Sequence, residues 1–267
     1  MWVFSQTKII DGYNIYSPFL LEQKGDLKMY FGGWKKGGET QDAIYRANCP
    51  HPFRECTGVV KVIDPARVGL KQVNDPTVIR HSDGYYIMYM TAVPIGADGY
   101  TASNNHIYYS TSWVTDGINW SVPKLLTKSA WLPSATKLGE NIELFANSNA
   151  NGRVVRLKLG KGGTKVLSTQ FISASENYLN VDVVYRPALK KYQILAERSV
   201  GDRSVVDYVE SKDGVRWSTK VPSVISPSAG QFRVNAPAAH PKTHSWVYYG
   251  QTASTRSLDF SIYFREW

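Results

Sequence analysis

Residues Asn74–Ala92 read Asn-Asp-Pro-Thr-Val-Ile-Arg-His-Ser-Asp-Gly-Tyr-Tyr-Ile-Met-Tyr-Met-Thr-Ala. This is a hairpin. Thr77–Arg80 is short and β-branched, Ser82-Asp83-Gly84 is a turn in which Gly supplies the positive φ, and Tyr85–Met90 is an aromatic and apolar central strand. Pro76 lacks the N–H that a mid-ladder position requires, so Asp75-Pro76 sits at the open end of the hairpin.

The unit recurs. Ser17-Pro18-Phe19-Leu20-Leu21 turns at Gly25-Asp26 into Leu27–Phe31, and Leu132-Pro133-Ser134 turns at Gly139-Glu140 into Ile142–Ala146. Asp182-Val183-Val184-Tyr185 leads to Tyr192–Ala196, and Ala236-Pro237-Ala238 leads to Trp246–Tyr249. Anchored on Ser17, Asp75, Leu132, Asp182 and Ala236, the copies are 58, 57, 50 and 54 residues apart. Such a period, with several short strands per copy, is that of a propeller. Each second strand ends 15 or 16 residues after its anchor, at Gly33, Thr91, Asn147, Glu197 and Gln251, so anchors and ends converge on one rim. Asp182 and Glu197 are expected side by side there, where one carboxyl would raise the pKa of the other.

Trp120-Ser-Val-Pro-Lys-Leu-Leu126 and Trp217-Ser-Thr-Lys-Val-Pro-Ser-Val-Ile225 each begin with Trp and end in an aliphatic strand. Trp2–Ile10 has the same outline, while the chain ends on the strand Leu258–Phe264 with no such segment after it. The fold class expected is therefore all-β: one five-bladed β-propeller over residues 1–267, closed by the N-terminal strand completing the last blade.

The 267 residues are 43% hydrophobic and 13% aromatic, enough for a large core. No run of about 18 apolar residues predicts a membrane span. The first residues lack the apolar core of a signal peptide, which suits a cytoplasmic chain or a trimmed secreted one. A net charge of +9 favours an anionic partner, although the basic residues form no long run. An acidic glycan or a phosphate fits this as well as nucleic acid does, and nucleic acid is the weaker expectation. Cys49 and Cys56 are seven apart, a spacing that permits a bridge without requiring one; with His51 they match no zinc pattern. The turn Gly160–Gly163 lacks phosphate-loop spacing, and Asn119-Trp120-Ser121 is a glycosylation sequon within a strand context. The loop Val93–Asn105 is long enough to act as a substrate loop.

Asp75-Pro76-Thr77-Val78 with Asp83-Gly84-Tyr85-Tyr86, and Ser211-Lys212-Asp213-Gly214 with Trp217, resemble motifs of five-bladed propeller glycosidases. These are the arabinanase and β-xylosidase group, glycoside hydrolase family 43, and its relatives. The resemblance spans the whole layout and is detailed in the second and fourth copies. It implies an Asp base or nucleophile opening blade one, a second Asp opening blade two and a Glu acid opening blade three. Ser17, Asp75 and Leu132 occupy those positions, so the usual triad is not retained. Blade two also resembles the mannoside phosphorylases of family 130, in which a single Asp is the acid and basic residues hold phosphate. Their Asp-Pro-Arg is Asp75-Pro76-Thr77 here. Lys35, Lys36, Arg198 and Arg233 would be the anion holders.

The resemblance implies a protein that binds, and cleaves, an oligo- or polysaccharide in the central funnel, without metal or cofactor. Asp75, Asp182 and Glu197 are the catalytic candidates. Asn74, Asn180, Asn235, Gln251, Arg198 and Arg233 would line the funnel, with Trp34, Tyr100 and Trp131 as stacking surfaces for sugar rings. The alternative is a glycan-binding propeller that has lost catalysis. The ordinary roles compete with each assignment: Asp75 as a turn carboxylate, Glu197 neutralised by Arg198, the aromatic residues as blade-edge packing, His51 and His106 as structural.

Overall fold

A computed structural model of the chain describes residues 7–10, 14–23, 25–33, 41–49, 55–97, 102–113, 117–227, 233–239, 246–252 and 261–266. Trp34, Lys35, Lys36, His51 and Tyr100 lie outside them. Five four-stranded antiparallel sheets form the blades of a propeller. Blade one is β2 (Ile15–Gln23), β3 (Asp26–Gly33), β4 (Ala43–Asn48) and β5 (Thr57–Ile63). Blade two is β6 (Leu70–Arg80), β7 (Tyr86–Pro94), β8 (His106–Ser112) and β9 (Lys124–Thr127). Blade three is β10 (Ala130–Leu138), β11 (Asn141–Ser148), β12 (Val154–Leu159) and β13 (Val166–Phe171). Blade four is β14 (Leu179–Arg186), β15 (Lys191–Val200), β16 (Arg203–Ser211) and β17 (Ser218–Ile225). Blade five is β18 (Arg233–Ala239), β19 (Trp246–Thr252) and β20 (Ser261–Glu266), completed by β1 (Thr7–Ile10). Lys8 pairs with Tyr263 and Thr7 with Phe264, so the expected closure is present.

Burial follows position in the blade. β7 is buried from Tyr86 to Val93, while β13 is exposed over most of its length. Second strands are covered on both faces by neighbouring blades, which explains why they read as continuous apolar runs rather than as alternation. The buried apolar side chains fall into five clusters, each shared by two adjacent blades. Met29 and Phe31 pack toward Ala238 and Ile262 of blade five, while Tyr30 and Ile44 pack toward Val73 and Met88 of blade two. Ile87 and Leu144 join blades two and three, Phe145 and Tyr192 join three and four, and Leu195 and Val247 join four and five.

Local devices hold the outer turns. Asp213 Oδ1 accepts from the N–H groups of Val215 and Arg216 at 2.9 and 2.8 Å, and Trp217 Nε1 donates to Gly214 O at 3.2 Å. Trp120 Nε1 donates to Gly117 O in the same way in blade two. The Ser-x-Asp-Gly-x-x-Trp motif is therefore a turn-builder. Cys49 and Cys56 are bonded to each other and close the β4–β5 connection.

One glycine marks a close contact between the backbones of blades one and two. A Cβ added at Gly32 would lie 3.1 Å from Asn74 Cβ and 3.3 Å from the backbone N of Asp75. We expect Gly32→Ala to lower stability by about 1–3 kcal/mol, the usual cost of overpacking. Urea unfolding of the variant measures this; an unchanged midpoint would show that blades one and two are not in close contact there.

Candidate functional site

Each first strand breaks register near its inner end. Residues 17–18, 75–76, 132–133 and 236–237 stand unpaired opposite a single residue of the second strand in blades one, two, three and five, and residue 180 is unpaired in blade four, so every blade carries one additional residue. The first residue of every break is left-handed: φ is 50° at Ser17, 48° at Asp75, 53° at Leu132, 36° at Asn180 and 43° at Ala236. A side chain in that region costs about 1–2 kcal/mol. Proline follows in four blades, as Pro18, Pro76, Pro133 and Pro237, where the bulged residue needs no ladder N–H. These residues line one central cavity together with Thr77, Ser134 and Asp182.

Blade four corrects the sequence alignment. Its equivalent of Asp75 is Asn180, and Asp182 is two residues further along β14. The missing proline conceals this. Similarly, Gly32 and Gly250 stand opposite Tyr16 and Asn235, as Thr91 stands opposite Asn74; Gly33 and Gln251 are one residue beyond.

The two residues expected as an acidic pair are not one. Asp182 stands opposite Leu195, and Glu197 opposite Leu179. Each carboxyl instead fastens its blade to the next. Asp182 Oδ2 accepts from Ala239 N at 2.8 Å. In the corresponding places Thr77 Oγ1 accepts from Ala135 N at 3.0 Å, and Ser134 Oγ from Val183 N at 2.9 Å. Glu197 Oε2 accepts from Ala236 N at 3.3 Å, as Thr91 Oγ1 does from Leu132 N at 2.9 Å. Glu197 also receives Asn180 Nδ2 at 2.7 Å, and Asn180 Nδ2 lies 2.9 Å from Asn235 Oδ1. Burial lifts Asp182 to a pKa of about 6 against the pull of Ala239 N and of Arg186. Burial lifts Glu197 to about 7, opposed by Asn180, Ala236 N, Ser204 and Arg233.

Asp75 is held differently. Ser17 Oγ donates to Asp75 Oδ1 at 2.5 Å. Its pKa is raised to about 6, chiefly by burial; hydrogen bonds from Ser17 and Thr91 oppose the rise and the charge of Asp42 adds to it. Asp42 was not singled out in the sequence, because it precedes β4 in no motif. Yet Tyr16 Oη donates to Asp42 Oδ2 at 2.5 Å, and the amide of Asn74 lies between Asp42 and Asp75.

The remaining candidates divide. Arg198 Nε donates to Asp207 Oδ2 at 2.6 Å, so this guanidinium is committed within blade four, to Asp207 and not to Glu197. Arg233 is exposed and its charge acts on Glu197. Gln251 is buried opposite Val234 and Ser261. Trp131 is half-buried beside the Leu132 bulge, and its Nε1 has no partner among the described residues. His106 is buried. Among the described residues no group of three or more His, Cys, Asp or Glu is placed to hold a metal.

The raised carboxyls fix the sign of a pH effect. Unfolded, these groups titrate near pH 4; folded, near 6 to 7. The stability they contribute is fully present below about pH 4 and is lost as pH rises through about 7, on the order of 2–3 kcal/mol per group. Melting temperature is expected to fall between pH 4 and pH 8. Asp182→Ser, which supplies the hydroxyl that blade three uses at this place, is expected to fold and to show a shallower fall. An equal slope in the variant would mean that Asp182 is ionised without penalty.

No family model matches the chain, and no curated protein matches it. Solved structures do. The catalytic domain of a glycoside hydrolase family 62 α-L-arabinofuranosidase from Coprinopsis cinerea superposes with a TM-score of 0.73 at 11% identity, over 98% of this chain and 96% of that one. A β-xylosidase gives 0.74 at 11% identity, over 98% and 94%. A family 117 glycoside hydrolase from the marine bacterium Zobellia galactanivorans gives 0.66 at 16% identity, over 98% and 89%. The chain thus has the fold of the five-bladed propeller glycoside hydrolases, reached with little sequence in common.

Proposed function

We propose that this protein binds an oligo- or polysaccharide over the axial end of the propeller and cleaves its glycosidic bond by acid–base catalysis. The observation that carries this reading is the placing of Asp75. It is the one carboxyl at a position matching the glycosidase motif, it stands on the axial bulge, and it lines the central cavity with Asp182. A pKa of about 6 lets it hold a proton near neutrality and give it up in the transition state. Asp75 is the proton donor in this reading. Asp182 is the second carboxyl, and Glu197 with Asn180 and Asn235 orients the substrate. Glycosidases need one neutral and one ionised carboxyl flanking the bond, and two buried groups of similar pKa can meet that need. The cavity, about 40 Å³, holds water or one substituent, so the sugar rings lie above it. Trp131 offers a stacking face there, with Trp34 and Tyr100 as further candidates, and Arg233 and the net charge of +9 suit an anionic as well as a neutral chain. No metal or cofactor enters this chemistry.

A second reading, a glycan-binding propeller without turnover, is favoured by one observation: Ser17 and Leu132 stand where the resembling enzymes carry carboxyls. The two separate experimentally. A glycan array finds the ligand, and rates are then measured on the hits with and without phosphate. Asp75→Asn keeps shape and hydrogen-bond reach while removing the charge. We expect it to melt like the wild type, to keep most of its glycan affinity and to lose turnover by at least about 10²-fold. Unchanged turnover in the folded variant removes Asp75 from the chemistry, and absence of turnover by the wild type on every bound glycan establishes the binding module.

A further inference from the structure

Behind Asp75 lies a second buried carboxyl that neither the glycosidase motif nor the array of bulges accounts for. Asp42, just before β4, is 7% exposed. Tyr16 Oη donates to its Oδ2 at 2.5 Å, and its Oδ1 is buried with no hydrogen-bond partner among the described residues. Asn74 separates it from Asp75, and the amide of Asn74 can stand in two ways, of which the second satisfies both its nitrogen and its oxygen. In one, Nδ2 donates to Tyr16 Oη at 3.1 Å and to Asp42 Oδ2 at 3.3 Å. In the other, Nδ2 donates to Asp75 Oδ2 at 3.1 Å and to Thr91 O at 3.3 Å, and Oδ1 accepts from Tyr16 Oη at 3.1 Å.

Each orientation demands a proton in a different place. With Nδ2 toward Asp42, that carboxylate receives both Tyr16 and Asn74 and is ionised. Asn74 Oδ1 then faces Asp75 Oδ2 and Thr91 O; a proton on Asp75 relieves the first contact and nothing relieves the second, so this is the less favoured orientation. With the amide turned, Asp75 receives Nδ2 and is ionised. Tyr16 now gives its single hydrogen to Asn74 Oδ1, so its oxygen meets Asp42 Oδ2 bare unless Asp42 is protonated and donates to it. Turning one amide therefore accompanies the passage of one proton from Asp75 to Asp42, and none is gained or lost in total. We propose that Asp42 and Asp75 share a single proton through Asn74 and Tyr16, with Asp42 the positioning residue that sets how far Asp75 holds it.

The surroundings agree. Among the described residues, the titratable groups acting on this pair are Tyr16 and the two carboxyls themselves, with Ser17, Asn74 and Thr91 as neutral partners. Asp182 lines the same cavity as Asp75. Burial raises Asp42 as it raises Asp75, so full ionisation of both is disfavoured twice over. The inference rests on the glycoside-cleaving reading for its use in catalysis, but the shared proton is observable without any substrate.

The test is a carbon-detected NMR titration of the aspartate carboxyls in the full chain. In the wild type, Asp42 and Asp75 are expected to report the same two-step titration. In Asp42→Asn, Asp75 is expected to titrate in one step with its midpoint lowered by about one unit or more. A single-step Asp75 curve in the wild type, or an unchanged midpoint in the folded variant, overturns the proposal. Tyr16→Phe covers a failure of Asp42→Asn to fold, since it removes a donor and keeps the charge. It should raise the midpoint of Asp42 and lower that of Asp75, and movement of neither overturns the proposal. On any glycan that is turned over, the alkaline limb of the rate profile should move to lower pH in Asp42→Asn by the same amount as Asp75. Coupled titration without turnover on any glycan leaves the shared proton standing and removes the glycosidase reading. Turnover with uncoupled carboxyls does the reverse.

Discussion

Five inner strands must converge on one axis without their backbones colliding, and the left-handed bulge at the start of each strand is how this chain meets that constraint. The strain is borne by Ser17, Asp75, Leu132, Asn180 and Ala236 alike, whatever their side chains. At about 1–2 kcal/mol each, the five together cost on the order of 5–10 kcal/mol, comparable with the net stability of a domain. The strain at Asp75 is thus architectural. It is not by itself a mark of catalysis, and the functional argument has to come from the environment of the carboxyl.

What offsets the strain is the set of hydrogen bonds that fastens each inner strand to the next. Thr77, Thr91 and Ser134 do this with hydroxyls. Asp182 and Glu197 do it with carboxyls. A hydroxyl would serve the seam at lower desolvation cost, because burying an ionisable group is expensive unless it neutralises. The use of acids at two of these places, beside a third at Asp75, gathers three carboxyls whose pKa burial raises toward neutrality at the axial end. That is the physical link between the way the blades are joined and the chemistry proposed for the axis. Elsewhere Arg156 and Glu143 form a buried ion pair within blade three, and blade four is fastened to it by Tyr192 Oη, which donates to Glu143 Oε2 at 2.8 Å, and by Asp213 O, which accepts from Arg156 Nη1 at 2.8 Å.

The architecture was legible because its signals are local and repeated. X-Pro at the bulge, Gly in the hairpin turn, an apolar second strand and a Trp before the outer strand each follow from one residue's chemistry. Blade four is harder to align because its bulge, of the same length as the others, carries no proline. Asn74, Asp75 and Asn180 could be named from sequence because they adjoin the bulge. Asp42 could not, since only the closing of blade one against blade two brings it to Asn74, 32 residues away in the chain. Arg198 was misassigned for a related reason: Glu197 and Arg198 point to opposite faces of β15, so adjacency in sequence set them apart in space.

The most direct test of the account is a crystal structure of the protein soaked with the best ligand from a glycan array. The account predicts sugar density over the axial end, with a glycosidic oxygen within hydrogen-bond reach of Asp75 and a ring above the cavity it shares with Asp182. Density confined to the opposite end of the propeller, or to an outer blade edge, would contradict it.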